Sequence, residues 1–126
     1  MTGMTTLLIV DAANVVGSVP DGWWRDREGA ARRLRDALVP YAGAGLAERP
    51  GPLDIVLVVE GSARGVEPVP GVRVDPAPGS GDDRIVALVA EAGAPCVVVT
   101  ADRELRRRVA ALGAETVGPR TVYGGR

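Results

Sequence analysis

Three uninterrupted apolar runs constrain this chain most: residues 7–10, 55–59 and 96–99. None shows the apolar-polar alternation of a strand with one wet face, so each reads as a strand buried on both sides, the habit of parallel sheets. A shorter run, 72–74, precedes Asp75 and Pro76, and residues 114–117 give a last short strand. Between the strands the period changes. Leu34, Leu38 and Tyr41 recur at helical spacing after a loop at 15–22, in a helix kinked or ended near Pro40. Ile85, Val89 and Ala92 define a second helix beginning at Asp82, and Leu105, Val109 and Leu112 the apolar face of a third. The predicted order is β-α-β-β-α-β-α-β, which favours a parallel sheet with helices on both faces. With 126 residues, no repeat, and Pro/Gly-rich pieces (48–52, 76–81) too short to be linkers, one domain covering 1–126 is expected.

The acids follow the strands. Asp11 ends the first run, Glu60 the second, and Asp102 comes after the run at 96–99 and a Thr-Ala turn. In open parallel sheets the ligand crevice lies beyond the carboxyl ends of the strands. If the first strand is central, these carboxylates converge there, and Asp82 at the start of its helix joins them. Crowded carboxylates raise one another's pKa or attract a cation, and Mg²⁺ or Mn²⁺ with retained waters is the usual solution. Capping alone would explain Asp82, Asp83 and Asp102, each placed where a helix N-terminus wants an acceptor. It explains Asp11 and Glu60 less well, because neither is obviously a cap and glycine follows Glu60.

Absent residue types narrow the chemistry. The chain has no histidine and no lysine, so all 15 basic side chains are arginines. That excludes Ser-His and Cys-His nucleophiles, histidine-ligated zinc, Schiff-base lysines and the P-loop lysine. Carboxylate, hydroxyl and arginine chemistry remain, with an oxygen-bound divalent cation as the natural electrophile. The single cysteine, Cys96, sits inside an apolar run and reads as core. With a formal net charge of −1 no global basic field exists, so any nucleic-acid contact must be local. Arg103, Arg106, Arg107, Arg108, Arg120 and Arg126 concentrate positive charge late in the chain, as a solvated face or as phosphate contacts. Asn14 is either a turn asparagine or a group orienting Asp11. Thr100 either holds a carboxylate or is a β-branched strand end. Trp23 and Trp24 either stack on bases or pack the first helix. No apolar run reaches membrane-spanning length and no signal-like start is seen, so a cytoplasmic protein is expected.

In series, LLIVDAANVVGS, VVEGSARG, GSGDDRIVALV and VVVTADRELRRRVAALGA resemble the NYN and YacP-like branch of PIN-like nuclease domains. The resemblance implies a three-layer α/β/α, Rossmann-like domain with a parallel sheet of order 3-2-1-4-5, and a Mg²⁺- or Mn²⁺-dependent endoribonuclease. Asp11, Asp82 and Asp102 match the family's acidic positions and Asn14 its asparagine; Glu104 matches a second acid after the fourth strand. Glu60 stands where aspartate is more usual, and the motif's spacing favours Asp82 over Asp83. On this reading Asp11, Asp82 and Asp102 hold the cation, with Glu60, Asp83 and Glu104 as further candidates. Asn14 orients the ligands, and Arg103, Arg107 and Arg120 hold RNA phosphates. Some members act on ribosome-associated RNA, so the partner is RNA without a named target. Two rivals stand beside it. One is a non-catalytic RNA- or ribosome-binding module of the same fold. The other is a different Mg²⁺-dependent phosphohydrolase, disfavoured because Ala13 stands where dehalogenase-like phosphatases need aspartate and because lysine is lacking.

Overall fold

A computed structural model describes residues 5–123; Arg126 lies outside them. β1 (Thr6–Asp11) is the central strand, paired in parallel with β4 (Leu53–Val59) on one side and β6 (Cys96–Val99) on the other. β5 (Val72–Pro76) flanks β4 and β7 (Glu115–Val117) flanks β6, also in parallel. The order across the sheet is β5-β4-β1-β6-β7. Counting only these five strands, that is 3-2-1-4-5, as the resemblance implies.

The strands without alternation are buried on both faces because helices cover both. Alternate residues Leu8, Val10, Ile55, Leu57, Val97 and Val99 join one core, closed by α1 (Ala12–Gly17) and α2 (Arg27–Ala44). Ile9, Val56, Val58, Cys96 and Val98 join the other, closed by Ile85 and Val89 of α3 (Gly81–Glu91) and by Leu105 and Val109 of α4 (Arg103–Ala110). Winding reverses at β1, where the chain first builds outward through β4 and β5 and then crosses back to β6. No helix among the described residues is long and apolar enough to cross a membrane.

Several local expectations need correction. Helix α1 takes up residues 15–17 of the stretch read as a loop at 15–22, and Trp23–Arg25 forms a 3₁₀ turn. Helix α2 runs through Pro40 to Ala44 instead of ending there. Proline removes one helical hydrogen bond, but burial of Leu34 and Leu38 anchors the helix before it, and Tyr41 and Ala42 still pack on the core after it. A two-residue hairpin, β2 (Gly45–Leu46) with β3 (Arg49–Pro50), follows. Leu112 is 49% exposed, because α4 stops at Ala110 before its period reaches that residue.

Candidate active site

The carboxyl ends of β1, β4 and β6 and the start of α3 bring four acids to one edge of the sheet. Asp11 is the last residue of β1 and only 5% exposed. Its Oδ2 accepts a hydrogen bond from Thr100 Oγ1 at 2.9 Å, and its Oδ1 accepts from the Asn14 backbone N–H at 3.4 Å. Asp11 is therefore the N-cap of α1, a role its sequence context had not suggested. Two donors do not offset the loss of water. Burial, reinforced by the charges of Asp82 and Glu60, raises the Asp11 pKa to about 6.

Asp82 lies in the first turn of α3 and also titrates above its ordinary value, chiefly through burial and then through Asp102 and Glu60. It is free of capping duty. Ser80 caps α3, its hydroxyl accepting from the Asp83 N–H at 3.1 Å, so the capping explanation of Asp82 and Asp83 fails. Asp83 pairs with Arg108 at 3.1 Å and is exposed. Asp102 does cap its helix, accepting from the Leu105 N–H at 3.0 Å, while its own N–H donates to Thr100 Oγ1 at 3.2 Å. The Glu60 carboxylate accepts from the Gly81 N–H, tying the end of β4 to the start of α3. A Cβ at Gly81 would lie 2.6 Å from Glu60 Oε1, so a larger residue there would make the Glu60 carboxylate shift.

Asn14 fastens the two strand ends together: its side-chain carbonyl accepts from the Ala101 N–H at 2.8 Å. Arg106, expected only as part of a basic face, donates from Nε to the Thr100 carbonyl at 2.8 Å and secures the end of β6. Glu104 is not brought to the cluster; it pairs with Arg107 along the exposed face of α4, and the guanidinium holds its pKa below the usual range. Arg103 and Arg120 are exposed and form no ion pair among the described residues.

The donor set is all oxygen and mutually repelling, which suits a hard divalent cation. Among the described residues, however, no three acids converge on one point. A cation here would be held by one or two carboxylates, with water and substrate oxygens completing its shell, as Mg²⁺ commonly is.

Sequence reasoning missed the neighbouring cavity of about 460 Å³, lined by Ala12, Trp23, Arg27, Glu60, Ser62 and Ser80 among others. It also missed the cap, although Ser80-Gly81-Asp82-Asp83 has the spacing of a capping motif.

No protein-family model matches the sequence, and no curated protein matches it. Solved structures do. Rae1 (YacP) from Bacillus subtilis superposes with a TM-score of 0.71 at 17% identity, over 91% of this chain and 70% of that one. Its W164L mutant superposes with a TM-score of 0.69 at 20% identity, over 94% and 72%. The fold is YacP-like. At such identity the likeness establishes the architecture, and what the site does rests on this chain's own side chains.

Within this YacP-like fold Thr100 is the hub, fully buried, donating to Asp11 and accepting from Asp102. Thr100→Val, nearly the same shape, is expected to cost about 1–3 kcal/mol by leaving the Asp11 carboxylate and the Asp102 N–H short of a partner. It should also raise the Asp11 pKa further, since the Thr100 hydrogen bond lowers it. Chemical denaturation and a pH titration of the Asp11 carboxyl by NMR would check both, with Thr100→Ser expected to restore them.

Proposed function

We propose that the protein is a divalent-cation-dependent endoribonuclease that hydrolyses RNA phosphodiesters at this acidic edge. The observation that carries the reading is the buried Asp11 carboxylate, raised in pKa by burial and by Asp82 and Glu60, at the strand-end crevice where the sheet's winding reverses. The YacP-like architecture supports it.

Asp11 and Asp82 would hold the cation, Mg²⁺ or Mn²⁺, with Asp102 and Glu60 as the neighbouring acids. When bound, the cation would activate water and stabilise charge on the departing oxygen. The chain's own groups supply the geometry. Thr100 and the Asn14 backbone N–H fix the Asp11 carboxylate, and the Asn14 side chain locks α1 to the turn at 100–102. Glu60 fixes the start of α3 and hence Asp82. Exposed Arg103 and Arg120 supply phosphate contacts that the net charge of −1 does not, and Arg107 would join them on leaving Glu104.

The test is cleavage of a labelled, partly single-stranded RNA with Mn²⁺, with EDTA and with Asp82→Asn. Because Ser80 caps α3, Asp82→Asn should leave the helix intact. Cleavage that needs the cation and disappears in Asp82→Asn is expected; cleavage surviving both changes would overturn the reading. One observation favours a rival, a non-catalytic RNA-binding module of the same fold: no three acids converge among the described residues. That rival predicts RNA binding without cleavage in every arm, unchanged when the acids are neutralised.

A further inference from the structure

The cavity beside the acids carries groups that the hydrolytic chemistry does not use. Its volume, about 460 Å³, is ordinary for a small-ligand site. Ala12, Val16 and Ala31 make an apolar lining. Trp23 and Arg27 also line it, the Arg27 guanidinium carbon lying over the Trp23 ring at 5.0 Å from its centroid. Polar lining comes from the Ser62 and Ser80 hydroxyls and the Glu60 carboxylate. Glu60 belongs to both places, since it lines the cavity and its charge acts on Asp11 and Asp82. Whatever fills the cavity therefore lies next to what the acids act on.

We propose that this cavity is a nucleobase pocket that takes one unpaired base of the RNA adjacent to the phosphodiester under attack, an inference that rests on the nuclease reading. A flat heterocycle can lie on an indole ring or a guanidinium plane, the way unpaired bases are commonly held, and Trp23 and Arg27 bring both to this lining. A phosphate is a poorer occupant, because the Glu60 carboxylate repels it. The carboxylate accepts and cannot donate, so it selects a base edge rich in N–H groups. Guanine, with an imide N–H beside an amino group, matches best. The chain would then cleave with a base preference set at the end of β4 and the start of α2, away from the basic face of α4.

The experiment is metal-free binding followed by Trp23 fluorescence. Trp24, exposed and outside the cavity lining, is replaced in a Trp24→Phe background. The four nucleoside 5′-monophosphates and ribose 5-phosphate are titrated in EDTA. Nucleotides should change the emission, GMP at the lowest concentration, and ribose 5-phosphate should not. Two variants fill the cavity: Ala13→Leu, at an exposed lining position, and Gly79→Leu, where an added Cβ meets nothing within 4 Å. Both should keep the wild-type melting curve and weaken GMP binding about tenfold or more, the scale of losing one stacked base. No response to any nucleotide, an equal response to ribose 5-phosphate, or a response untouched by both filling variants would overturn the pocket. Because no cation is present, that failure is separate from failure of the nuclease reading, which the Asp82→Asn cleavage assay decides.

Discussion

Asp11→Asn is expected to abolish cation-dependent RNA cleavage and, at the same time, to raise the melting temperature of the metal-free protein at pH 7 by roughly 4–8 °C. Both effects have one cause. The Asp11 carboxyl is 5% exposed and titrates near 6 instead of its ordinary 3.8, so at neutral pH the folded chain carries a charge it does not solvate well. Two pKa units correspond to about 3 kcal/mol at most. Asparagine loses part of that gain because it accepts fewer hydrogen bonds from Thr100 and Asn14, leaving roughly 1–2 kcal/mol. The pH dependence has a definite sign. A carboxyl whose folded pKa is raised favours the folded state fully below its ordinary value, and that contribution is lost as pH rises through about 6. The advantage of Asp11→Asn over the wild type should therefore be largest at pH 7 and shrink as pH falls through about 6 toward about 4. Mn²⁺ or Mg²⁺ should raise the wild-type midpoint and leave that of Asp11→Asn in place, because a ligand stabilises only the state that binds it. Calorimetry across pH 4–7, with and without cation, measures all of this. A less stable Asp11→Asn protein at pH 7 would show that hydrogen bonding at Asp11 outweighs its burial.

Leu57→Ala should be the most damaging single truncation of the sheet, costing about 2–5 kcal/mol. Leu57 is fully buried in the middle of β4, paired with Val10 on one side and Val74 on the other, on the face that α2 covers. The parallel strands and the helix cannot all collapse onto the space it leaves, so a cavity persists. Against a typical total of about 5–15 kcal/mol the loss is severe, and for a chain of this length it corresponds to roughly 8–20 °C in melting temperature. It also bears on the site, since the same strand ends at Glu60. Thermal denaturation gives the stability, and GMP binding at 10 °C, where the variant is still folded, should remain. Loss of binding in a folded Leu57→Ala protein would mean that the strand end itself had moved.

Much of this was readable along the chain. The apolar runs without alternation announced strands covered on both faces, and the observed cores split them as alternate residues, Leu8 and Val10 to one side and Ile9 to the other. Asp11, Glu60 and Asp102 stood at strand ends, and their convergence followed once β1 was central. Other features were hidden. The hydroxyl of Ser80 competed with Asp82 and Asp83 for one cap, and only the backbone geometry at the start of α3 shows which accepts. Asp11 was not read as a cap although Ala12 and Ala13, strong helix formers, follow it, and Ala12–Gly17 is too short to show a helical period.

The positions of the strands along the chain and their burial, the exclusion of histidine and lysine chemistry, and the placing of acids at strand ends were determined by the sequence, because periodicity and residue type are local properties. Tertiary structure alone decided which acids share a field. The charges of Glu60 and Asp82 act on Asp11 because β4 and α3 are folded beside β1, although 49 and 71 residues separate them along the chain. Glu104, two residues from Asp102, turns instead to Arg107. The cavity was decided the same way. Its lining comes from α1, α2 and the segments after β4 and β5, and no one of them encloses space by itself.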